Sequence, residues 1–119
     1  MPSPNFDRAQ KKLGDTGDFY RLFLMPGVEH CNGDQGADTM DRQLLIEAWV
    51  ENGEAPSRIM AVHHAGNDAN AEVTFTRPHC PYPQQAFYTG TGDETDAANF
   101  ECWDAPKPDY EAPGEAYLR

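Results

Sequence analysis

The stretch LFLMPGVEHCNGDQGAD, residues Leu22–Asp38, decides how the chain is interpreted. Its apolar start belongs to Phe19–Met25, which predicts a buried strand ended by a proline–glycine pair. A histidine follows on the loop, and α/β proteins place functional groups on loops after the carboxyl ends of strands. His30 is therefore a candidate catalytic residue. Its position alone, however, favours an incidental exposed loop histidine.

The elements around this loop predict an α/β arrangement. Helices are expected at Phe6–Leu13 and Thr39–Asn52, and further strands at Arg58–His64 and Glu72–Thr76. The order of strand, loop, helix and strand predicts one βαβ-like unit. From Arg77 onward the chain is rich in proline and glycine, so we expect it to be irregular and to need a staple.

Capping signals flank the second predicted helix. Asp38 or Thr39 can cap its amino end, and Gly53 is typical of a helix C-terminus. Apolar residues at helical spacing form a stripe along the helix that includes Trp49. We therefore expect Trp49 to pack inward.

Composition excludes several classes of partner. The chain has 119 residues, enough for at most one domain, with 20 acidic and 9 basic side chains and a formal net charge of −11. This balance repels phosphate backbones and anionic lipids, so we expect neither nucleic acid nor membrane as a partner. The polar N-terminal stretch contains no apolar core, and we identify no signal peptide in it.

The chain has three cysteines, at positions 31, 80 and 102. Cys80 and Cys102 bracket the irregular segment, and closing a loop of 22 residues would contribute about 3 kcal/mol on the chain-entropy model. For Cys31, a buried free thiol and a disulfide to a partner outside the chain both stay open. A nucleophilic Cys31 is disfavoured, because adjacent side chains on an extended segment point apart and His30 would not reach it.

Other residue types provide no complete site. His63 and His64 are neighbours in a predicted strand and would face opposite sides of it, so we predict no metal site and no cofactor. The only serines are Ser3 and Ser57, and neither lies in a G-x-S-x-G elbow. A hydrolytic histidine in this chain would therefore lack its nucleophile.

Four stretches carry a family resemblance. They are DFYRLFLMPGVEHC, LIEAWVENGEAPSRIMA, TRPHCPYPQQAFYTGTG and DAANFECW, which together span most of residues 18–103. In this order they resemble the C-terminal end of the tannase/feruloyl esterase family of serine esterases. The resemblance implies part of an α/β-hydrolase fold with a large inserted lid. It also implies cleavage of esters of gallic, hydroxycinnamic and related aromatic acids.

The resemblance also implies roles for individual residues. His30 corresponds to the histidine of the Ser-His-Asp triad. Cys31 corresponds to a cysteine that braces this histidine through a disulfide to a partner outside this chain, beside the nucleophile. Cys80 and Cys102 correspond to a local disulfide near the family's C-terminus. The family's nucleophile, lid, calcium site and triad acid would all precede Met1.

We therefore expect residues 1–119 to be a partial α/β-hydrolase domain, incomplete by itself, with residues 104–119 as a loosely ordered tail. Glu29 departs from the family, which commonly has glycine before the histidine. The expected partners are the missing N-terminal part of the esterase and an aromatic-acid ester, and the family implies a secreted or periplasmic location. The chain would be a truncated gene, a gene with a misassigned start, or one piece of a split enzyme. We expect the isolated chain to be inactive. The alternative is a non-catalytic acidic structural or binding module derived from this fold.

Overall fold

A computed structural model describes residues 4–104 of the chain. Its elements are α1 (Pro4–Leu13), α2 (Arg42–Asn52), β1 (Ile59–His64), β2 (Val73–His79), β3 (Gln84–Tyr88) and β4 (Phe100–Asp104). The strands form two antiparallel pairs, β1 with β2 and β3 with β4. Of the expected tail at 104–119, Asp104 is the last residue of β4, and the rest lies outside the described residues.

The predicted βαβ-like unit is not formed within residues 4–104. Phe19–Met25 is not a strand, and Phe23 makes only an isolated antiparallel bridge to Pro81. The two later strands of the prediction are present but pair with each other as an antiparallel hairpin. An extended segment becomes a strand only where a neighbour supplies a ladder of hydrogen bonds. No strand in the described part of the chain lies along Phe19–Met25 to supply one.

The predicted helices are both present. α1 ends at Leu13, as the sequence predicts, but α2 begins at Arg42, later than predicted. Its N-cap is Asp41, whose carboxylate accepts a hydrogen bond from the backbone N–H of Leu44 at 3.0 Å. The prediction of a cap at position 38 or 39 was wrong, because Asp38 bonds to Gly33 within the preceding loop and Thr39 pairs with Val62 of β1. Gly53 ends the helix as predicted, with a left-handed φ of 70°.

The region after Arg77 is more regular than the sequence predicts. β2 continues through His79, and β3 and β4 form a hairpin. The expected disulfide joins Cys80 to Cys102, with their Cα atoms 5.7 Å apart. The prolines led to the prediction of an irregular region. In a two-stranded sheet, however, both strands are edge strands, and an edge strand tolerates a residue without a backbone N–H. Because Cys80 follows β2 and Cys102 lies on β4, the disulfide ties one hairpin to the other.

The interior is small, and many large apolar side chains lie outside it. The buried apolar residues are Phe6, Ala37, Ala61, Cys80 and Ala97. No residue of α2 is buried, and Trp49 is half-buried under the guanidinium of Arg21, 5.6 Å from its ring centroid. Val50 is 76% exposed and Leu44 63% exposed. No helix within residues 4–104 is long and apolar enough to cross a bilayer.

Candidate active-site loop

His30 lies near the tip of a turn on the long loop between α1 and α2. An isolated antiparallel bridge between Val28 and Asp34 closes the turn. Cys31 follows His30 with a φ of 77°, in the left-handed region, so the chain reverses there. The side chains of His30 and Cys31 are both exposed. The turn therefore presents the histidine ring outward, where a nucleophile from another segment could reach it.

Cys31 and His30 are in direct contact. The Sγ atom of Cys31 lies 3.2 Å from Nδ1 of His30, and Cys31 is a free thiol. The prediction that the two side chains point apart was wrong, because the positive φ of Cys31 replaces the extended backbone on which it depended. In a Ser-His-Asp triad, Nδ1 is the nitrogen that the orienting carboxylate holds. In the described part of the chain no carboxylate bonds to His30, so that acid would have to come from elsewhere.

The segment after the turn folds back onto the segment before it. The backbone N–H of Gly36 donates to the carbonyl of Gly27 at 2.7 Å. The N–H of Gly33 donates to a carboxylate oxygen of Asp38 at 2.8 Å, and this bond is the main cause that lowers the pKa of Asp38 below its usual value. A Cβ atom at position 36 would lie 2.8 Å from the carbonyl carbon of Gly27. Glycine is therefore required where the two sides of the loop meet.

Two histidines from the neighbouring hairpin bind consecutive carbonyls of this loop. Nδ1 of His63, on β1, lies 2.8 Å from the carbonyl oxygen of Gly36. Nε2 of His79, the last residue of β2, lies 2.7 Å from the carbonyl oxygen of Ala37. Carbonyl oxygens only accept, so each of these ring nitrogens carries a hydrogen and donates it. Sequence reasoning gave these histidines no role, because nothing in their spacing shows that the hairpin packs against the loop.

His79 is buried, with 3% of its surface exposed. Desolvation by burial lowers its pKa, and the hydrogen bond to Ala37 only partly opposes that shift. Its Nδ1 is buried without a hydrogen-bond partner among the described residues. A second proton, on Nδ1, would be a buried donor without an acceptor. His79 is therefore held neutral, with its hydrogen on Nε2.

A stack of rings runs from β1 across to β4. The imidazole of His63 stacks on Phe75 with centroids 4.9 Å apart and ring planes 10° apart. The guanidinium of Arg77 lies 5.1 Å from the Phe75 centroid and 3.9 Å from that of Phe100, which also packs against Tyr88. Desolvation lowers the pKa of Arg77. Through this stack the hairpin β3–β4 supports Phe75 on β2, against which the ring of His63 packs.

Metal-binding geometry is not present in the described part of the chain. No group of three or more histidine, cysteine, aspartate or glutamate side chains within residues 4–104 is arranged to hold an ion. His63 and His64 each donate to a backbone carbonyl, at Gly36 and Ala71, in place of ligating a metal. The chemistry that this loop offers is therefore that of an exposed imidazole beside a thiol.

Comparison with known proteins places this loop in a family. The family model described as tannase and feruloyl esterase matches residues 6–103, and the chain belongs to this family. The match spans both helices, the His30 loop and both hairpins. Relatives in the family are named as esterases and ester hydrolases, which supports ester hydrolysis as the chemistry of the family.

Individual relatives are much longer than this chain. It is 39% identical to an uncharacterized esterase of Xanthomonas campestris pv. campestris, over 99% of this chain and 23% of that protein. It is 44% identical to the mono(2-hydroxyethyl) terephthalate hydrolase of Piscinibacter sakaiensis, over 82% of this chain and 16% of that protein. The chain thus spans 16% to 23% of the length of these two relatives.

Solved structures agree with the sequence comparison. An esterase from Aspergillus oryzae superposes with a TM-score of 0.73 at 29% identity, over 82% of this chain and 23% of that protein. Feruloyl esterase B from the same organism gives a TM-score of 0.65 at 27% identity. The chain is therefore a portion of an α/β-hydrolase fold and is incomplete as a domain.

Proposed function

We propose that this chain is the C-terminal part of a serine carboxylic-ester hydrolase, to which it contributes His30 as the triad histidine. The substrates proposed are aromatic-acid esters of the feruloyl or galloyl type. The observation that carries the proposal is the exposure of the His30 imidazole on a turn anchored from two strands, inside the region that matches an esterase family. Two relatives, named as a probable feruloyl esterase and as feruloyl esterase C, and the solved structure of feruloyl esterase B support the choice of substrate class.

In this proposal His30 acts as the general base and then as the general acid. Nε2 takes the proton from a serine hydroxyl as that oxygen attacks the ester carbonyl, and it later gives the proton to the leaving alcohol. An acid bound at Nδ1 orients the ring and stabilises the imidazolium. The serine and the acid belong to the proposed N-terminal part of the esterase.

Cys31 has a second role in the proposal. Its thiol forms a disulfide with a cysteine of the N-terminal part, and both thiol hydrogens and two electrons pass to a cellular disulfide oxidant. The Cys31 sulfur now contacts Nδ1 of His30, where the triad acid would bind. Formation of the disulfide removes the S–H group and moves the Cys31 sulfur away from Nδ1 of His30. The carboxylate of the triad acid can then accept a hydrogen bond from Nδ1. The brace and the triad would therefore be completed together.

The apolar surface of α2 supports an N-terminal partner. Leu44, Ile46 and Val50 are all more than half exposed, and Met60 on the adjoining strand β1 is 48% exposed. These side chains lie on more than one side of α2, as is typical of a helix that is covered on several sides in the complete protein. We propose that the N-terminal part of the esterase covers this apolar surface.

A disulfide between Cys80 and Cys102 also supports a secreted or periplasmic location.

A chimaera tests the proposal. In the Xanthomonas campestris relative, the segment aligned with this chain is replaced by the 119-residue chain, and hydrolysis of methyl ferulate and methyl gallate is measured. We expect activity from the chimaera and none above background from the isolated chain. His30→Ala should lower kcat of the chimaera by at least about 10³-fold, as removal of a triad member does. His64→Ala, which changes a strand histidine outside the loop, is the matched control.

Two results would reject the proposal. A folded chimaera without activity would favour the alternative, a non-catalytic acidic module derived from the fold. An active chimaera that keeps its activity after His30→Ala would assign the base to another residue. Cooperative thermal unfolding of each variant must be recorded alongside the kinetics, because a misfolded chimaera would otherwise resemble an inactive one.

A further inference from the structure

We propose that His63 and His79 are positioning residues that hold the His30 turn in its catalytic geometry. The inference rests on the proposed function of His30 and extends it to two residues outside the triad. Both donate to the backbone of the His30 loop, at the consecutive carbonyls of Gly36 and Ala37. We refer to these two hydrogen bonds as the histidine clamp.

The clamp fixes the orientation of a peptide unit as well as its location. His63 reaches its carbonyl with Nδ1 from β1, whereas His79 reaches the next carbonyl with Nε2 from the end of β2. Two donors that come from two strands and bind two successive carbonyls constrain the rotation of the segment as well as its translation. A single hydrogen bond would leave the segment free to rotate.

The clamped segment is joined directly to both sides of the turn. Gly36 donates its own N–H to the carbonyl of Gly27, and one residue beyond Ala37 the carboxylate of Asp38 receives the N–H of Gly33. A shift of Gly36 would therefore move the segment before the turn as well as the one after it. Two short hydrogen bonds therefore join the clamped segment to the turn, Gly36 to Gly27 at 2.7 Å and Gly33 to Asp38 at 2.8 Å.

Each histidine of the clamp is itself held firmly. The ring of His63 stacks on Phe75 and is thereby coupled to the stack of rings that runs from β1 to β4. His79 is buried and lies next to Cys80, whose disulfide crosses to β4. The clamp thus connects the His30 turn to the two hairpins that the Cys80–Cys102 disulfide joins.

Matched substitutions separate the donated hydrogen bonds from packing. His63→Asn keeps an N–H group near the place of Nδ1, and His79→Gln keeps one near the place of Nε2. His63→Leu and His79→Leu keep the bulk and remove the donors. His64→Leu is the control, because His64 lies on β1 next to His63 but donates its Nδ1–H to Ala71, a residue outside the His30 loop, at 2.9 Å.

The first measurement is hydrogen exchange of the peptide that contains Gly33 and Gly36, followed by mass spectrometry in the chimaera and in the isolated chain. Loss of one net hydrogen bond changes an opening equilibrium by up to about tenfold. We expect exchange about tenfold faster in His63→Leu and His79→Leu, near the wild-type rate in the Asn and Gln variants, and unchanged in His64→Leu.

The second measurement is the kinetics of the chimaera. We expect both Leu variants to lower kcat about tenfold or more with little change in KM, and the donor-keeping variants to restore it. His64→Leu should lower the unfolding temperature by a similar amount without lowering kcat. A purely structural role would instead move stability and kcat together in all three Leu variants.

The possible outcomes are distinct. Unchanged exchange in the Leu variants, or faster exchange with unchanged kcat, would overturn the positioning role. If His79→Leu does not fold, the comparison of His63→Leu with His63→Asn decides, since His63 is only half-buried. If His30→Ala leaves activity intact, the proposed function fails, and the exchange data still show whether the clamp holds the loop.

Discussion

His79 is a buried titratable residue whose protonation at acid pH should lower the free energy of unfolding. Burial lowers its pKa in the folded chain, while the unfolded chain binds a proton at the ordinary value of 6.5. The unfolded state therefore takes up the proton first as the pH falls, and stability present above about pH 6.5 is lost below it. We expect the free energy of unfolding, measured in urea, to fall between about pH 7 and pH 5. His79→Gln should flatten that slope, and equal slopes in the two proteins would contradict this account.

Gly36 shows how closely the two sides of the His30 loop approach each other. A Cβ atom there would press on the backbone of Pro26 and Gly27, which cannot move aside as a flexible side chain could. We expect Gly36→Ala to destabilise the chain by about 1–3 kcal/mol, the usual cost of overpacking, and to speed exchange in the loop. Gly17→Ala is the control, because its Cβ would meet only the end of a side chain, the carboxylate of Asp15 at 3.1 Å, and no backbone atom at that distance. Equal unfolding free energies for the two variants would show that the loop can open without penalty.

At the scale of elements, the disulfide decides whether the two hairpins act as one unit. It joins the end of β2 to β4 across a sequence separation of 22 residues. Replacing Cys80 and Cys102 by serine should lower the free energy of unfolding by about 3 kcal/mol. Cys31→Ser should leave it nearly unchanged, because Cys31 is an exposed free thiol. Thiol titration of the unfolded, unreduced chain should count one free thiol, and a count of three would show that the disulfide does not form.

Local signals predicted the elements that depend on local chemistry. The sequence predicted α1, the end of α2 at Gly53, and the strands β1 and β2 from capping, glycine and alternation. It predicted a strand at Phe19–Met25 that is not formed, since a strand also needs a partner. It missed β3 and β4, because the prolines around them predict irregular chain and the pairing that forms them is long-range.

The candidate site was predictable only at its reactive group. The position of His30 after an apolar run, together with the family motifs, is enough to single it out as the candidate base. Its contact with Cys31 depends on a left-handed φ that no glycine or asparagine signals at that position. The histidine clamp depends on the packing of a hairpin whose two histidines come 27 and 42 residues after the carbonyls that they bind. Both features arise from tertiary structure.

At the scale of the whole molecule, apolar surface is distributed unevenly. The interior contains few large side chains, while α2 exposes Leu44, Ile46 and Val50 and the neighbouring strand exposes Met60. Monomeric proteins seldom leave large apolar surface areas uncovered. The net charge of −11 helps to keep the chain in solution, but charge does not remove the free-energy cost of the exposed apolar face.

This distribution predicts that the same substitutions on α2 are harmless in the isolated chain and harmful in the chimaera. Leu44→Lys and Val50→Lys replace exposed apolar side chains with charged ones, so they should reduce aggregation of the isolated chain and leave its unfolding free energy within about 0.5 kcal/mol. In the chimaera the same substitutions would bury an unpaired ammonium group against the N-terminal part, and we expect activity and unfolding temperature to fall together. Asn52→Lys adds the same charge to an exposed position at the end of α2, away from the sides that carry Ile46 and Val50, and should be neutral in both settings. If Leu44→Lys and Val50→Lys are tolerated as well in the chimaera as in the isolated chain, the apolar face of α2 is not where the N-terminal part docks.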